Sequence, residues 1–280
     1  MRSSRLQTLL GSIGAAASLA AIPVSLHAQT GPQAGTAVYD LTRTRADSAD
    51  ANDDADVRSG YSFKSKADSL SWAHSRSVAE KAGGFHLVVS LKDRHLWAII
   101  GSDTVLSAPV AVAKGTTLKF GKRAWTFETP RGVRTVLGKE ADPVWQPPEW
   151  LYAETANEYD LKLGHLENGQ KIKLGDGRIL TMKDGEAGVI ENGEWAALPT
   201  DEHIVFDNIL YVPPLGSKNR KVDGELGKYR LNMGDGFLLH GTPYKDSIGM
   251  AATHGCVRMR DEDIEWLYEH VPVGTKVYIY

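Results

Sequence analysis

Cysteine catalysis needs a thiolate, a base to generate it, and donors to hold the oxyanion that forms on attack. One stretch of this chain, Phe237 to Met259, can supply all three; it reads FLLHGTPYKDSIGMAATHGCVRM and holds the only cysteine, Cys256. His254 stands two positions before the thiol. His240 lies upstream, at the end of a short apolar run, and is followed by Gly241 and Thr242. Gly255 lets the backbone bend just ahead of Cys256, so that amides there can point at a bound carbonyl. Arg258 is a nearby cation that could meet a substrate carboxylate or the developing oxyanion, or instead pair with the acidic cluster Asp261 to Asp263. A lone cysteine can equally be a small core residue, and spacing alone does not say which histidine is the base. A metal centre fits less well. A closed zinc site needs four ligands in two close pairs, there is no second cysteine, and His165, His203 and His270 form no ligand pair.

These groups need rigid neighbours. Phe237-Leu238-Leu239 reads as a buried strand that fixes His240 at its exit. After the thiol, Asp261 is expected as an N-cap, Glu262 and Asp263 suit the first turn of a helix, and Ile264, Leu267 and Tyr268 form one apolar stripe. Phe85 to Leu91 and His95 to Ile100 flank Lys92-Asp93-Arg94 as a hairpin. A further strand is expected from Val105 to Ala113, ending at Lys114-Gly115. Phe127 to Val133 contains the turn Thr129-Pro130-Arg131-Gly132. Trp145-Gln146-Pro147-Pro148-Glu149-Trp150 is expected to be stiff and extended, its two tryptophans either packing the core or edging a cleft. Tyr229 to Asn232 leads into the His240 strand, and Gly274 to Tyr280 closes the chain as a strand.

Taken in order, His240-Gly241-Thr242, then Ser247-Ile248-Gly249, then Thr253-His254-Gly255-Cys256-Val257-Arg258-Met259 resembles the catalytic signature of the L,D-transpeptidases, bacterial cell-wall enzymes with a YkuD-type domain. The likeness extends to the opening strands, to the Thr-Pro-x-Gly turn, to the Trp- and Pro-containing segment and to the Gly-Thr-x-Val ending, so it covers about 85–150 and 203–280. It implies a mainly β fold, a mixed-sheet β-sandwich with a short helix after the catalytic cysteine. Cys256 would be the nucleophile and His240 its base, oriented by the carbonyl of Gly241. His254 would line the site and, with the amides of Gly255 and Cys256, stabilise the oxyanion; Arg258 would meet substrate charge. Thr253 and Ser247 are expected to make local backbone hydrogen bonds. The implied partners are peptidoglycan stem peptides, as donor and acceptor, with carbapenems as acylating inhibitors. No metal or organic cofactor is implied.

At 280 residues the chain has room for one large domain or two small ones. A formal charge of −3 and the lack of a long basic run argue against a nucleic-acid partner. Arg2 and Arg5 precede an apolar, alanine-rich run from Leu9 to Val24, and Ala28 ends a cleavage-site pattern: a secretory signal peptide over 1–28. Its removal takes the formal charge from −3 to −5 and leaves no stable membrane insertion, so the protein is expected in the periplasm or cell envelope of a bacterium. Residues 29–83 are rich in Asp, Ala and Ser and are expected to be an acidic, largely disordered tether, with a short helix from Ala67 to Lys81 stopped by Gly83-Gly84. The catalytic domain is expected over 84–280. Within it, the turn dipeptides Asn168-Gly169, Asp176-Gly177, Asp184-Gly185 and Asn192-Gly193 mark a β-rich insertion at about 153–201, a lid or a docking surface. The main domain is expected to resume at His203 to Phe206 and Ile209 to Val212.

Overall fold

A computed structural model describes residues 63–280. The expected signal peptide and most of the expected tether lie outside the described residues. The first element is helix α1 (Lys66–Glu80). Six strands follow: β1 (Phe85–Ser90), β2 (His95–Ile100), β3 (Asp103–Pro109), β4 (Val112–Ala113), β5 (Thr117–Phe120) and β6 (Arg123–Thr126). Next come β7 (Gly132–Thr135), β8 (Gly138–Ala141) and helix α2 (Glu149–Glu158). A second β-rich run holds β9 (Lys162–His165), β10 (Lys171–Lys173), β11 (Ile179–Lys183), β12 (Glu186–Glu191), β13 (Glu194–Ala197), β14 (Ile204–Phe206) and β15 (Ile209–Val212). The chain ends with β16 (Tyr229–Asn232), β17 (Leu238–His240), β18 (Ala251–Thr253), β19 (Val257–Arg258), helix α3 (Asp261–His270) and β20 (Lys276–Ile279). The fold is mainly β with mixed sheets.

Two sheets build the main body: a five-stranded one in the order β3-β2-β1-β20-β7 and a four-stranded one in the order β19-β17-β16-β8. Both are mixed, since β1 runs parallel to β20 and β17 parallel to β19. They share one core. Leu87, Val89, Leu96, Val277 and Ile279 from the first meet Leu231, Leu239 and Val257 from the second, and α3 adds Ile264 and Leu267. The unbroken apolar run Leu87-Val88-Val89 has a physical reason. Alternate side chains of a strand face opposite ways, and β1 is covered on both faces: Leu87 and Val89 enter the main core, while Val88 meets Ala79 of α1 and Tyr280.

Helix α1 is therefore seated on the sheet. Its N-cap Ser65 accepts a hydrogen bond from the Asp68 amide at 3.1 Å, satisfying one orphan donor of the first turn. Trp72 packs edge-on against Tyr280, at 5.7 Å between ring centres. Ion pairs from Asp68 to Arg131 and from Lys64 to Glu128 bind it to the turn before β7.

Several elements differ from expectation. The strand expected from Val105 to Ala113 is two, β3 and β4, because β4 leaves β2 to pair parallel with β18. Pro147-Pro148 is not an extended spacer beyond its own length: Pro148 has φ −67° and ψ 165° and leads directly into α2, placing Trp150 in the first turn. Asp261 is the first residue of α3 rather than its cap. Arg260 occupies the cap position with extended backbone and makes no side-chain capping bond. The insertion holds the expected antiparallel meander, in the order β10-β11-β12-β13. Its turns at Asp184-Gly185 and Asn192-Gly193 place both residues at positive φ, which glycine and Asn or Asp tolerate best. β14 and β15 do not rejoin the main sheets. They form a sheet with β9, and Ile204 and Tyr211 pack into the meander's core while Leu210 and Val212 pack on α2. Among the described residues, no helix is long and apolar enough to cross a membrane.

Candidate active site

The strand pair β17 and β19, at one end of the four-stranded sheet, sets the site. Leu239 faces Val257 and His240 faces Arg258 in parallel register. Cys256, one residue before β19, shares the face of His240 and Arg258 by the two-residue period of extended chain, and its thiol lies against the strand that carries His240, near the Leu238 amide. His240 is buried, and its Nδ1 lies 2.6 Å from the Gly241 carbonyl oxygen. A carbonyl only accepts, so Nδ1 carries the proton and Nε2 of the neutral ring keeps its lone pair. Burial pushes the His240 pKa down to about 4; Arg258 and Arg230 add to this, and the Gly241 carbonyl opposes it.

Cys256 is half-buried, with Sγ 3.8 Å from the Gly236 carbonyl. Burial raises its thiol pKa, against the opposing pull of the Leu238 amide and Arg258. Both members of the pair are thus biased toward their neutral forms. Thr253 builds the loop between them. Its hydroxyl donates to the Cys256 carbonyl at 2.6 Å and accepts from the Gly255 amide at 3.2 Å. Ser247 likewise bonds locally, to the Tyr244 carbonyl. The Gly255 amide, expected to face an oxyanion, is already engaged by Thr253. Gly255 contributes conformation instead: its φ is +145°, and a Cβ there would come within 2.9 Å of the Phe237 ring.

Arg258 does not pair with Asp261 to Asp263. One guanidinium nitrogen lies 3.7 Å from Glu225, and the group sits over the Tyr244 ring at 5.3 Å. Tyr244 in turn donates to Glu225 at 3.0 Å. Arg258 Nε is buried without a hydrogen bond among the described residues, so its donors are only partly used.

His254 has partners that the sequence reading missed. Its Nε2 lies 3.0 Å from Glu154 of α2 and 3.0 Å from the Lys114 ammonium. Lys114 and Glu154 are themselves 2.8 Å apart. The ring stacks on Trp150 at 4.1 Å and meets Phe127 edge-on at 4.5 Å. The hydrogen bond from His254, and that from Lys114, hold the Glu154 carboxyl at about 2 despite its burial. The only sequence signal for Glu154 was its spacing of four from Trp150, meaningful once a helix follows Pro148. His165 binds Glu149 and His270 stacks on Trp266, both away from the thiol. No group of three or more His, Cys, Asp or Glu that could hold a metal occurs among the described residues.

The chain is 49% identical over 55 residues to Probable L,D-transpeptidase YbiS of Escherichia coli K12, covering 20% of this chain and 18% of that protein. It is 42% identical over 57 residues to Probable L,D-transpeptidase ErfK/SrfK of Salmonella typhimurium, with the same coverage. The matched stretch thus spans under a fifth of these relatives' length. Among solved structures, an L,D-transpeptidase from Mycobacterium smegmatis aligns with 15% identity and a TM-score of 0.38, over 71% of this chain and 59% of that one. The catalytic domain of the Enterococcus faecium L,D-transpeptidase, acylated by ertapenem, aligns with 15% identity and a TM-score of 0.37, over 71% and 98%. The family model of the L,D-transpeptidase catalytic domain, also called YkuD, matches residues 84–279. By that match the chain belongs to the L,D-transpeptidase (YkuD) family.

Proposed function

We propose that this protein is an exported cysteine L,D-transpeptidase that cross-links peptidoglycan stems. The observation that carries the reading is the buried His240 ring, on the strand paired with the segment that follows Cys256, with Nδ1–H on the Gly241 carbonyl, which leaves Nε2 as the basic nitrogen. The carbonyl does here what a carboxylate does in a Ser-His-Asp triad, fixing tautomer and orientation. At neutral pH both partners rest uncharged, so His240 removes the thiol proton as sulfur attacks.

In the first half-reaction Cys256 Sγ attacks the carbonyl of the third residue of a stem tetrapeptide. The C–N bond to the terminal D-Ala breaks, the proton held by His240 goes to the leaving amine, and a thioester remains. In the second half an acceptor stem amine attacks the thioester, His240 takes its proton, and the thiol is restored as a 3→3 cross-link forms. The Cys256 amide is assigned to the oxyanion, and His254 is assigned to the lining of the site. Arg258, its donors partly unused, is assigned to substrate charge. Water as acceptor would make the protein an L,D-carboxypeptidase, and a protein lysine would make it a wall-anchoring enzyme, with the same residues. The signal peptide read over 1–28 supports the envelope as the place of action. Carbapenems are expected to acylate the same thiol.

The test is intact mass after incubation with a purified stem tetrapeptide. The expected result is an adduct equal to the added peptide less one alanine, absent in Cys256→Ala. A second stem then separates cross-linking from hydrolysis. A folded protein that forms neither adduct nor product with stems of varied third residue would instead be a non-catalytic peptidoglycan-binding protein.

A further inference from the structure

The cluster of Lys114, Glu154 and His254 has more contacts than packing requires, and their chemistry constrains one another. An ammonium can only donate and a carboxylate can only accept. His254 Nε2, 3.0 Å from each of them, can satisfy just one. If Nε2 carries a proton, it donates to Glu154, and Lys114 turns its protons on the other carboxylate oxygen, 2.8 Å away. If Nε2 carries a lone pair, Lys114 donates to it and the proton of the neutral ring moves to Nδ1. The pair therefore decides what Nδ1 offers, and Nδ1 has no hydrogen bond among the described residues.

The three groups come from three parts of the molecule. Lys114 follows β4, and its amide bonds to the Thr253 carbonyl at 2.9 Å, beside the thiol loop. His254 is in that loop. Glu154 is on α2, whose other face, Tyr152 and Ala156, packs against Leu210 and Val212 of β15. Phe127 and Trp150 supply the aromatic contacts to the ring. The titratable groups facing it are Lys114 and Glu154, with Cys256 two residues along its own loop.

We propose that Glu154 is a positioning residue for the acyl-transfer site, accepting the Nε2 proton of His254 so that the neutral ring is held with its Nδ1 lone pair, an acceptor, left to the reacting groups. The insertion is then a working part of the site through its first helix, rather than a passive appendage. This rests on the L,D-transpeptidase reading for its kinetic consequence, but its structural content does not. A purely structural Glu154 would anchor α2 and leave the His254 proton pattern untouched.

The experiment compares wild type, Glu154→Ala and Glu154→Gln by nitrogen-15 NMR of the histidine rings and by the rate of Cys256 acylation with a stem tetrapeptide. In wild type the neutral His254 ring should carry its proton on Nε2. In Glu154→Ala, Lys114 remains as the partner of Nε2, so the proton should move to Nδ1. Acylation should slow by about 10- to 100-fold, the scale of a misplaced reacting group. Glu154→Gln retains an acceptor oxygen and should recover part of that loss, and it serves in place of Glu154→Ala should the latter unfold. Unchanged His254 shifts in folded variants, or acylation within about threefold of wild type, would overturn the proposal. If wild type itself forms no adduct, the acyl-transfer reading fails, and the His254 spectra still decide the role of Glu154.

Discussion

Among single residues, His240 has the largest consequence outside catalysis. Its pKa lies near 6.5 in the unfolded chain and falls to about 4 in the fold, chiefly through burial. Between those values the unfolded state binds more protons, so stability rises with pH across that window. The His240 contribution is complete above about pH 6.5 and is lost as pH falls toward 4, amounting to about 2–3 kcal/mol at pH 4.5. Urea unfolding of wild type and His240→Gln at pH 7 and 4.5 measures it. The variant, which cannot be protonated there, should lose about that much less on acidification, and an equal loss in both would refute the assignment. The residues of this site were unequally legible in the sequence. His240, His254, Cys256 and Arg258 fall within one short stretch, so their order could be read directly. Glu154 and Lys114 reach His254 across separations of 100 and 140 residues, and no local pattern announces such a meeting.

Elements add a second kind of control. Helix α1 covers the outer face of β1 and β20 through Ala79 and Trp72, and its charged first turn grips the segment Glu128 to Arg131. That segment lies behind the thiol loop, where the Glu128 carbonyl faces Gly255 and Phe127 meets His254. The Trp72 indole N–H is buried without a hydrogen-bond partner among the described residues, so its ring area stabilises while its donor does not. Trp72→Phe, which removes that donor and keeps an aromatic ring, is therefore expected to cost under about 1 kcal/mol, and Trp72→Ala about 2–3 kcal/mol. Urea melts would show it, and equal losses in the two variants would contradict the account. The helix itself was foreseeable from the sequence, since Gly83-Gly84 mark its stop just after Lys81. Helix α2 was not, for a compositional reason: two of its three buried residues are Ala153 and Ala156, which give only a faint apolar stripe, and the Pro pair ahead of it reads equally as a spacer or as a helix start.

At the scale of the whole molecule, the chain has separate cores that meet at the active site. The main core lies between the two large sheets, while the insertion has its own clusters around Leu180 and around Leu210. Strand propensity identified His203 to Phe206 and Ile209 to Val212 as strands, but it carries no information about which sheet they join, and they joined the insertion. That placement matters because β15 supports the underside of α2, and α2 carries Trp150 and Glu154 to His254. Leu210 is fully buried there, so Leu210→Ala removes packing worth about 2–5 kcal/mol from beneath a helix that touches the catalytic loop. The insertion should loosen while the main sheets hold. Hydrogen exchange should therefore quicken at β9 and β15 with β1 and β20 unchanged, and acylation of Cys256 should slow although no residue near the thiol has been altered. Uniformly faster exchange would mean that the cores unfold as one unit. Unimpaired acylation alongside a loosened β15 would mean that the site does not depend on the insertion.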